Sequence, residues 1–380
     1  MDLSLPEELV MLRETVKRFV DTELRPLEKG IEEAGKSDPE VLRRLRKRAA
    51  ALGIYAHNLP TEIGGGGLNA LGQMVVAQEL GRTTIALSRT AGYLPALLAY
   101  CRPDHRDWFL APILSGEEFV TYAVTEPDAG SDVGGTKTRA TRVAGGWSLS
   151  GGKCFVSNVD ISKWVIVVAV TDPAATINHR FTLFIVDKTT PGFHFNRNIK
   201  KMAWKGAEFC QFSLDECVVP EHCIIGEVNG GFELIMLAIN LTRIHLSGIY
   251  VGMGDELLRH GLDYARQRKT FGKRLGDHQA IAFMLADIDS ELEAARLLAY
   301  AAADAYDNNR PDMRIMASRA KLYASEMAFR TADRVLQIFG AAGVTCDYPI
   351  ERMFRDSRLF RIGEGTSEIQ RIQIARHLLR

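Results

Sequence analysis

The sequence predicts a mainly α-helical protein with an all-β unit inserted between two helical ones. Three observations carry this. The apolar residues keep a helical period to about residue 119, shift to short runs of β-formers over 120–228, and return to a helical period over 229–380. No helical stretch separates the strands of the middle block, so they build an antiparallel sheet or barrel rather than a parallel nucleotide-binding sheet. The last block is made of long periodic segments with short links, the pattern of a helix bundle.

Element by element, Leu5-Pro6-Glu7-Glu8 starts a helix, with Pro near the first turn and acids at the positive end of the dipole. Val10, Leu12, Val16, Phe19 and Val20 continue it at helical spacing. Asp38-Pro39 opens a helix carrying Leu42, Leu45 and Ala49, and Gly64 to Gly67 reads as a flexible connector. Ala70–Gly81 and Ala86–Ala99 read as apolar helices. In the middle block, Phe119 to Thr125 is rich in β-formers. Trp147 to Ser150 alternates, Gly151-Gly152 is expected to turn the chain, and Lys153 to Val156 resumes. Trp164–Val170 and Phe181–Val186 read as buried strands, and Phe209 to Val219 alternates before Pro220. Helices are expected over Leu234–Leu262, Ile281–Tyr306, Met313–Phe339 and Ile369–Leu379.

Composition narrows the function. Lys+Arg 47 balances Asp+Glu 47, so the chain offers no net field for a polyanion, and nucleic-acid binding would need a local basic patch. No uncharged apolar run is long enough to span a bilayer, and the N-terminus, with Met1, Asp2, Glu7 and Glu8, has no signal-peptide core. The six cysteines are scattered with no CxxC pair, as expected of reduced thiols in the cytoplasm. No metal site is expected, because Cys217, His222 and Cys223 lack ligand spacing. Neither GxSxG nor HExxH occurs.

Three segments have the residue types that chemistry needs. Thr125-Glu-Pro-Asp-Ala-Gly-Ser-Asp132 follows a strand; it is either a connecting loop or a set of exposed N–H and hydroxyl donors for a phosphate or carbonyl. Arg266, Arg268, Lys269, Lys273 and Arg274 surround Thr270-Phe271-Gly272, which suits either a solvated helix end or an anionic ligand. Glu364 stands between Gly363 and Gly365, so its backbone is free to take unusual angles and a ligand can approach closely. Thr366 or Ser367 can cap the helix beyond. His278 reads as a helix-surface or satisfied core residue.

Together these segments resemble the acyl-CoA dehydrogenase family of flavoproteins over essentially the whole chain. Tyr122-Ala-Val-Thr-Glu-Pro-Asp-Ala-Gly-Ser-Asp132 is similar to the family's first signature. Arg268-Lys-Thr-Phe-Gly-Lys273, with Gln279 beyond, resembles its flavin-contacting bundle segment. Gln337-Ile-Phe-Gly-Ala-Ala-Gly343, then Arg355-Asp356 and Glu364-Gly-Thr-Ser-Glu-Ile-Gln370, resembles its second signature. The resemblance implies an N-terminal α-helical domain (1–119), a β-barrel domain (120–228) and a C-terminal four-helix bundle (229–380), assembled as a homotetramer of paired dimers. It implies non-covalent FAD between barrel and bundle. Tyr122, Val124, Thr125 and Ser131 would approach the flavin from the first signature, and Phe155 and Ser157 from the next hairpin. Arg268, Thr270, Phe271 and Gln337 of a neighbouring subunit would grip the ADP half, near Ala341. Thr366 and Glu368 would close the cofactor site, while Ser131, Arg243 and Gly365 match positions near the CoA thioester.

The chemistry so implied is α,β-dehydrogenation. The α-proton of a thioester is very weakly acidic, so its removal needs a carboxylate held close and kept from water. Glu364 matches that base. The enolate oxygen needs hydrogen bonds, and the family uses the base's own N–H and a ribityl hydroxyl. The β-hydrogen would leave as hydride to flavin N5, giving a trans-2-enoyl thioester, and an electron-transferring flavoprotein would reoxidise the cofactor. Some members place the base directly before the arginine matched by Arg243; here that residue is Thr242, which cannot serve.

The sequence also departs from the family pattern. Gly363 stands where many straight-chain enzymes carry Tyr, so a branched or cyclic acyl group is accommodated more readily. Phe155 replaces a frequent Trp, Ser157 a frequent Thr, Ala341 a common Gly and Glu368 a frequent Gln. The competing readings are a carrier-protein thioester dehydrogenase, an enoyl-thioester reductase, a flavin oxidase or monooxygenase of the same fold, and a non-catalytic flavin-binding or structural relative.

Overall fold

The computed structural model describes residues 5–379, so Met1 and Asp2 lie outside the described residues. The helices are α1 (Glu7–Phe19), α2 (Glu28–Ala34), α3 (Pro39–Ala51), α4 (Ala70–Leu80), α5 (Ile85–Ala91), α6 (Ala111–Leu114), α7 (Gly231–Gln267), α8 (Gln279–Asp307), α9 (Met313–Phe339), α10 (Ile350–Phe360) and α11 (Ser367–Leu378). The strands are β1 (Val120–Ala123), β2 (Arg139–Val143), β3 (Gly146–Ser157), β4 (Trp164–Val170), β5 (Phe181–Asp187), β6 (Phe193–Ile199), β7 (Phe209–Pro220), β8 (Ile224–Ile225), β9 (Lys269–Thr270) and β10 (Lys273–Arg274). Two compact units form, one of residues 1–28, 69–88 and 240–380, the other of 29–68 and 89–239.

In the first unit, long helices pack through small residues. Ala299, Ala302 and Ala303 of α8 meet Ala317 and Ala320 of α9, with Met74 of α4 and Ile244 of α7 in the same cluster. Alanine has little side chain to keep axes apart, so such a seam allows close helix packing. Tyr250 of α7 stacks on Phe360 of α10 at 4.1 Å, and Tyr264 on Phe339 at the same separation. By length and composition alone α7 is apolar enough to cross a membrane. It also carries charged residues, and its Ile244, Ile249, Val251 and Leu257 are buried within protein. Asp307 at the end of α8 accepts hydrogen bonds from the backbone N–H groups of Ala70 and Leu71, satisfying orphan donors at the start of α4.

The second unit centres on a sheet of order β6-β7-β3-β2-β4-β5-β8, with β1 beside β4. All seven residues of β4 are buried, as its unbroken apolar run requires. The pairing is not wholly antiparallel. β1 runs parallel to β4, Val120 opposite Trp164, because the β2–β3 hairpin intervenes and the chain re-enters in its original direction. Gly151-Gly152 does not turn the chain. β3 continues through it, with a register shift against β7 and Gly151 at φ +149°. A side chain there would collide with Thr138, so the glycine supplies a bulge.

Two helical expectations also change. The segment after Ala86 is helical only to Ala91, and Ala96–Tyr100 forms a separate 3₁₀ turn behind Pro95. Gly64 to Gly67 is not a flexible connector. The N–H groups of Gly65, Gly66 and Gly67 donate to the carbonyls of Pro60, Ala56 and Leu59 at 2.9–3.0 Å, and a Cβ on Gly65 would strike Leu59. Asp38 caps α3 through the Glu40 N–H at 2.9 Å.

Candidate functional site

In the first unit, one constellation surrounds Glu364. The turn between α10 and α11 holds Glu364 at φ +54° and Gly365 at φ +90°. A left-handed, non-glycine residue stores strain and persists only where its neighbours over-determine it. Those neighbours are visible. Arg243 Nε and Gln370 Nε2 both donate to the Glu364 carbonyl at 3.3 Å. Lys321 Nζ donates to the Gly365 carbonyl at 2.8 Å, and Gln370 Nε2 joins it at 3.0 Å. A Cβ on Gly365 would lie 2.7 Å from Gln370 Nε2 and 3.1 Å from the Arg243 guanidinium, so both the angle and the space demand glycine. Thr366 then caps α11, its hydroxyl accepting from the Ile369 N–H at 3.3 Å. Beside it, Glu368 is exposed, and its own N–H and the Thr366 hydroxyl hold its carboxyl below the ordinary value.

The charges behind this turn are buried. Arg243 and Lys321 are almost wholly shielded, while Glu364 itself is partly exposed. Burial lowers the Arg243 pKa, opposed by the Glu364 charge. Burial, then the neighbouring Arg243 cation, pushes Lys321 down to about 8, against the pull of Glu364, Glu326 and Glu368. Gly363 leaves room, since a side chain there would approach only the Leu359 carbonyl, at 3.9 Å.

Further along the same unit, α7 ends in a hairpin. β9 and β10 pair around Phe271 (φ +48°) and Gly272 (φ +78°), the two left-handed residues that a tight two-residue hairpin takes. The basic segment is therefore a built protrusion and not a frayed helix end. Phe271 is 94% exposed at its tip. His278 supports it, with Nε2 3.3 Å from the Thr270 carbonyl and its ring edge-on to Phe271. Arg268, at the end of α7, donates its N–H to the Tyr264 carbonyl, and its own carbonyl accepts from Leu275. Gln337 and Ala341 are exposed at the end of α9 and in the turn beyond it.

In the second unit, Val124 and Thr125 follow β1, and Phe155 and Ser157 end β3. The Cys154 N–H donates to the Thr125 carbonyl at 3.0 Å, which brings the two segments together. Phe155 sits at a second register shift of β3, at φ +55°, and is 56% exposed. The bulge turns a large ring outward that regular alternation would handle differently. Tyr122, Val124, Thr125 and Ser157 are partly buried; Ser131 is exposed on the loop beyond.

Sequence reasoning missed what holds this wall. Lys153, fully buried, donates to the Val124 carbonyl at 3.0 Å and to Glu126 Oε1 at 2.8 Å. Glu126 also accepts from the N–H groups of Lys137 (2.7 Å) and Thr138 (3.0 Å). Burial alone would raise the Glu126 carboxyl, but Lys153 and these hydrogen bonds outweigh it and hold it below its ordinary value. The signal was available, since Lys153 is the one charged residue of β3. Also missed was Arg89 at the end of α5, whose guanidinium donates to Ser157 Oγ at 3.2 Å. Lys321 and Gln370 escaped notice because their roles are to backbone carbonyls, which carry no sequence pattern.

Comparison with known proteins adds an independent line. Models of the N-terminal, middle and C-terminal domains of acyl-CoA dehydrogenase match residues 6–117, 121–217 and 229–379. The (R)-benzylsuccinyl-CoA dehydrogenase of Thauera aromatica is 35% identical over 396 residues, spanning 100% of this chain and 97% of its own. The structure of butyryl-CoA dehydrogenase from Megasphaera elsdenii matches with a TM-score of 0.92 and 30% identity, over 100% of both chains. A structure of PigA with FAD and proline matches with a TM-score of 0.94 and 26% identity, over 100% of this chain and 99% of that one.

Proposed function

Because the chain belongs to the acyl-CoA dehydrogenase family, and is thus an oxidoreductase with FAD as its cofactor, we propose that it dehydrogenates an acyl-CoA between Cα and Cβ, with Glu364 as the base. The observation that carries this is the strained, four-times-anchored turn that presents Glu364. Such strain is kept where a group must be held at one position.

The residues present suit a flavin. Phe155 offers an exposed aromatic face beside Ser157. Ser157 accepts from Arg89, so its own proton is left to donate to a further acceptor. Val124 and Thr125 line the same wall, with Tyr122 and Ser131 before and after them. On the hairpin, Arg268, Thr270 and Phe271 offer a cation, a hydroxyl and an exposed ring that, with Gln337, would hold the ADP half of the FAD of a neighbouring subunit, with Ala341 on the adenine side; Thr366 and Glu368 would close the site. When bound, the flavin supplies the acceptor for the hydride that leaves Cβ.

The chain's own residues do the rest. The Glu364 carboxylate takes the α-proton, and its backbone N–H hydrogen-bonds the thioester oxygen as negative charge grows there. Arg243, Gln370 and Lys321 fix the two carbonyls of the turn, so the carboxylate needs no reorganisation when the proton moves. By the resemblance, Arg243, Ser131 and Gly365 would stand near the CoA moiety. The open space at Gly363 supports a branched or cyclic acyl group, as does the benzyl-bearing acyl group in the name of the Thauera aromatica relative. Three domains, 1–119, 120–228 and 229–380, divide this work in a tetramer of paired dimers, with an electron-transferring flavoprotein as electron acceptor. The six unpaired cysteines support a reducing, cytoplasmic setting.

The test is anaerobic addition of butyryl-CoA, and of branched and cyclic acyl-CoAs, to the FAD-loaded protein. Bleaching of the oxidised-flavin band with formation of the 2-enoyl thioester is expected. A flavin that stays oxidised with every member of the panel contradicts the proposal.

A further inference from the structure

In the second unit, the fully buried Lys153 serves two acceptors. Its Nζ lies 2.8 Å from Glu126 Oε1 and 3.0 Å from the Val124 carbonyl. Glu126 is itself buried and uses both carboxyl oxygens as acceptors, Oε1 for Lys153 and the Thr138 N–H, Oε2 for the Lys137 N–H. That acceptor-only pattern is the pattern of an ionised carboxylate, so the lysine opposite it is held as a cation. The peptide between Val124 and Thr125 therefore has an ammonium on its oxygen.

The other end of that peptide is the Thr125 N–H. Among the described residues, no protein acceptor receives this N–H or that of Val124, although both residues are partly buried. The polar groups beside them are paired: the Thr125 carbonyl accepts from the Cys154 N–H at 3.0 Å, and the Glu126 N–H donates to the Ala129 carbonyl at 2.9 Å. Sheltered backbone N–H groups are almost always bonded, so two adjacent open donors mark where a ligand's acceptors belong. An ammonium on a peptide oxygen draws electron density along the amide and strengthens its N–H as a donor. A flavin gains electron density on its ring nitrogens and oxygens when it is reduced, and charge near those atoms tunes its electronics. We propose that Lys153 tunes the bound flavin, acting through the Val124–Thr125 peptide so that this wall holds reduced FAD more tightly than oxidised FAD. This rests on the reading above that Val124 and Thr125 line the flavin site. Lys153 touches no reacting atom; it is a positioning residue, and Glu126 is the counter-charge that keeps it ionised out of water.

The test is the midpoint potential of the FAD-loaded protein, read by spectroscopic titration against a reference dye with no acyl-CoA present. The wild type should lie above free FAD under the same conditions. K153M/E126Q removes the cation and its counter-charge together and leaves no lone ion. Its preference for reduced over oxidised FAD should fall by about 10-fold, which is about 30 mV for a two-electron couple. A wall merely loosened would weaken both forms alike and leave the potential where it was. An unchanged or raised potential in the double variant therefore overturns the tuning role. A wild-type potential at or below that of free FAD overturns it with no substitution at all, so the test survives a variant that does not fold or does not keep its flavin. Because no thioester takes part, either result leaves the dehydrogenase reading standing. Wild-type protein that cannot be loaded with FAD overturns both.

Discussion

Lys321 Nζ, fully buried on α9, donates a 2.8 Å hydrogen bond to the carbonyl of Gly365, the residue after Glu364. The bond joins a rigid helix to a turn in left-handed conformation, and so fixes where the Glu364 side chain leaves the backbone. K321M removes the donor at nearly constant volume. We predict that flavin reduction slows by about 100-fold while substrate affinity changes little, the effect of a base displaced by about an ångström. Single-turnover kinetics across a range of substrate concentrations separates the two terms. A loss confined to affinity would argue against the positioning role.

The large architecture was legible in the sequence because burial imposes period. The three blocks emerged from apolar spacing, and Met313–Phe339 matched α9 at both ends. The chemistry-bearing segments were also visible: glycines either side of Glu364, a basic cluster around Phe271, hydroxyls after β1. What was not legible depends on long-range pairing. The parallel β1–β4 contact depends on where β2 and β3 go, not on any residue of β1. Gly151 reads equally as turn or bulge until Thr138 is known to lie against it. α10, Ile350–Phe360, has no counterpart among the helices the sequence predicts. Lys321 and Arg89 act on atoms far away in sequence, so no local spacing announces them.

The buried pair of Lys153 and Glu126 gives a second prediction. Removing either partner leaves a charge with no compensation, so K153M and E126Q should each cost about 3–5 kcal/mol. The double variant should cost less than the sum of the two, because it leaves no lone ion. Chemical denaturation of the four proteins measures this, and strictly additive losses would contradict the coupling.

His57 gives a pH dependence. It is wholly buried, its Nδ1 lies 2.7 Å from the Ile54 carbonyl, and burial lowers its pKa from 6.5 to about 4. Between those values the unfolded chain takes up a proton that the folded chain refuses. Stability from this group is complete above pH 6.5 and is lost as pH falls toward 4, amounting to about 3 kcal/mol. H57Q, which keeps a donor for the Ile54 carbonyl, should show a shallower decline over that window in thermal melts. An unchanged slope would remove His57 from the account.

Phe271 gives a fourth. A ring 94% exposed at the tip of a hairpin gains by being covered. F271A should release FAD more readily on dilution and weaken assembly, read by flavin fluorescence and light scattering, while the fold of the monomer, read by far-UV circular dichroism, stays intact. Full FAD retention in an unaltered assembly would show that the hairpin grips nothing.

The central claim is that the Glu364 carboxylate removes the α-proton. It is tested most directly by anaerobic rapid mixing of FAD-loaded E364Q with whichever acyl-CoA bleaches the wild-type flavin. The amide keeps the size and the backbone of the turn but cannot accept the proton, so flavin content should match wild type while its reduction falls by at least about 1,000-fold. E364Q that bleaches at the wild-type rate would contradict the account.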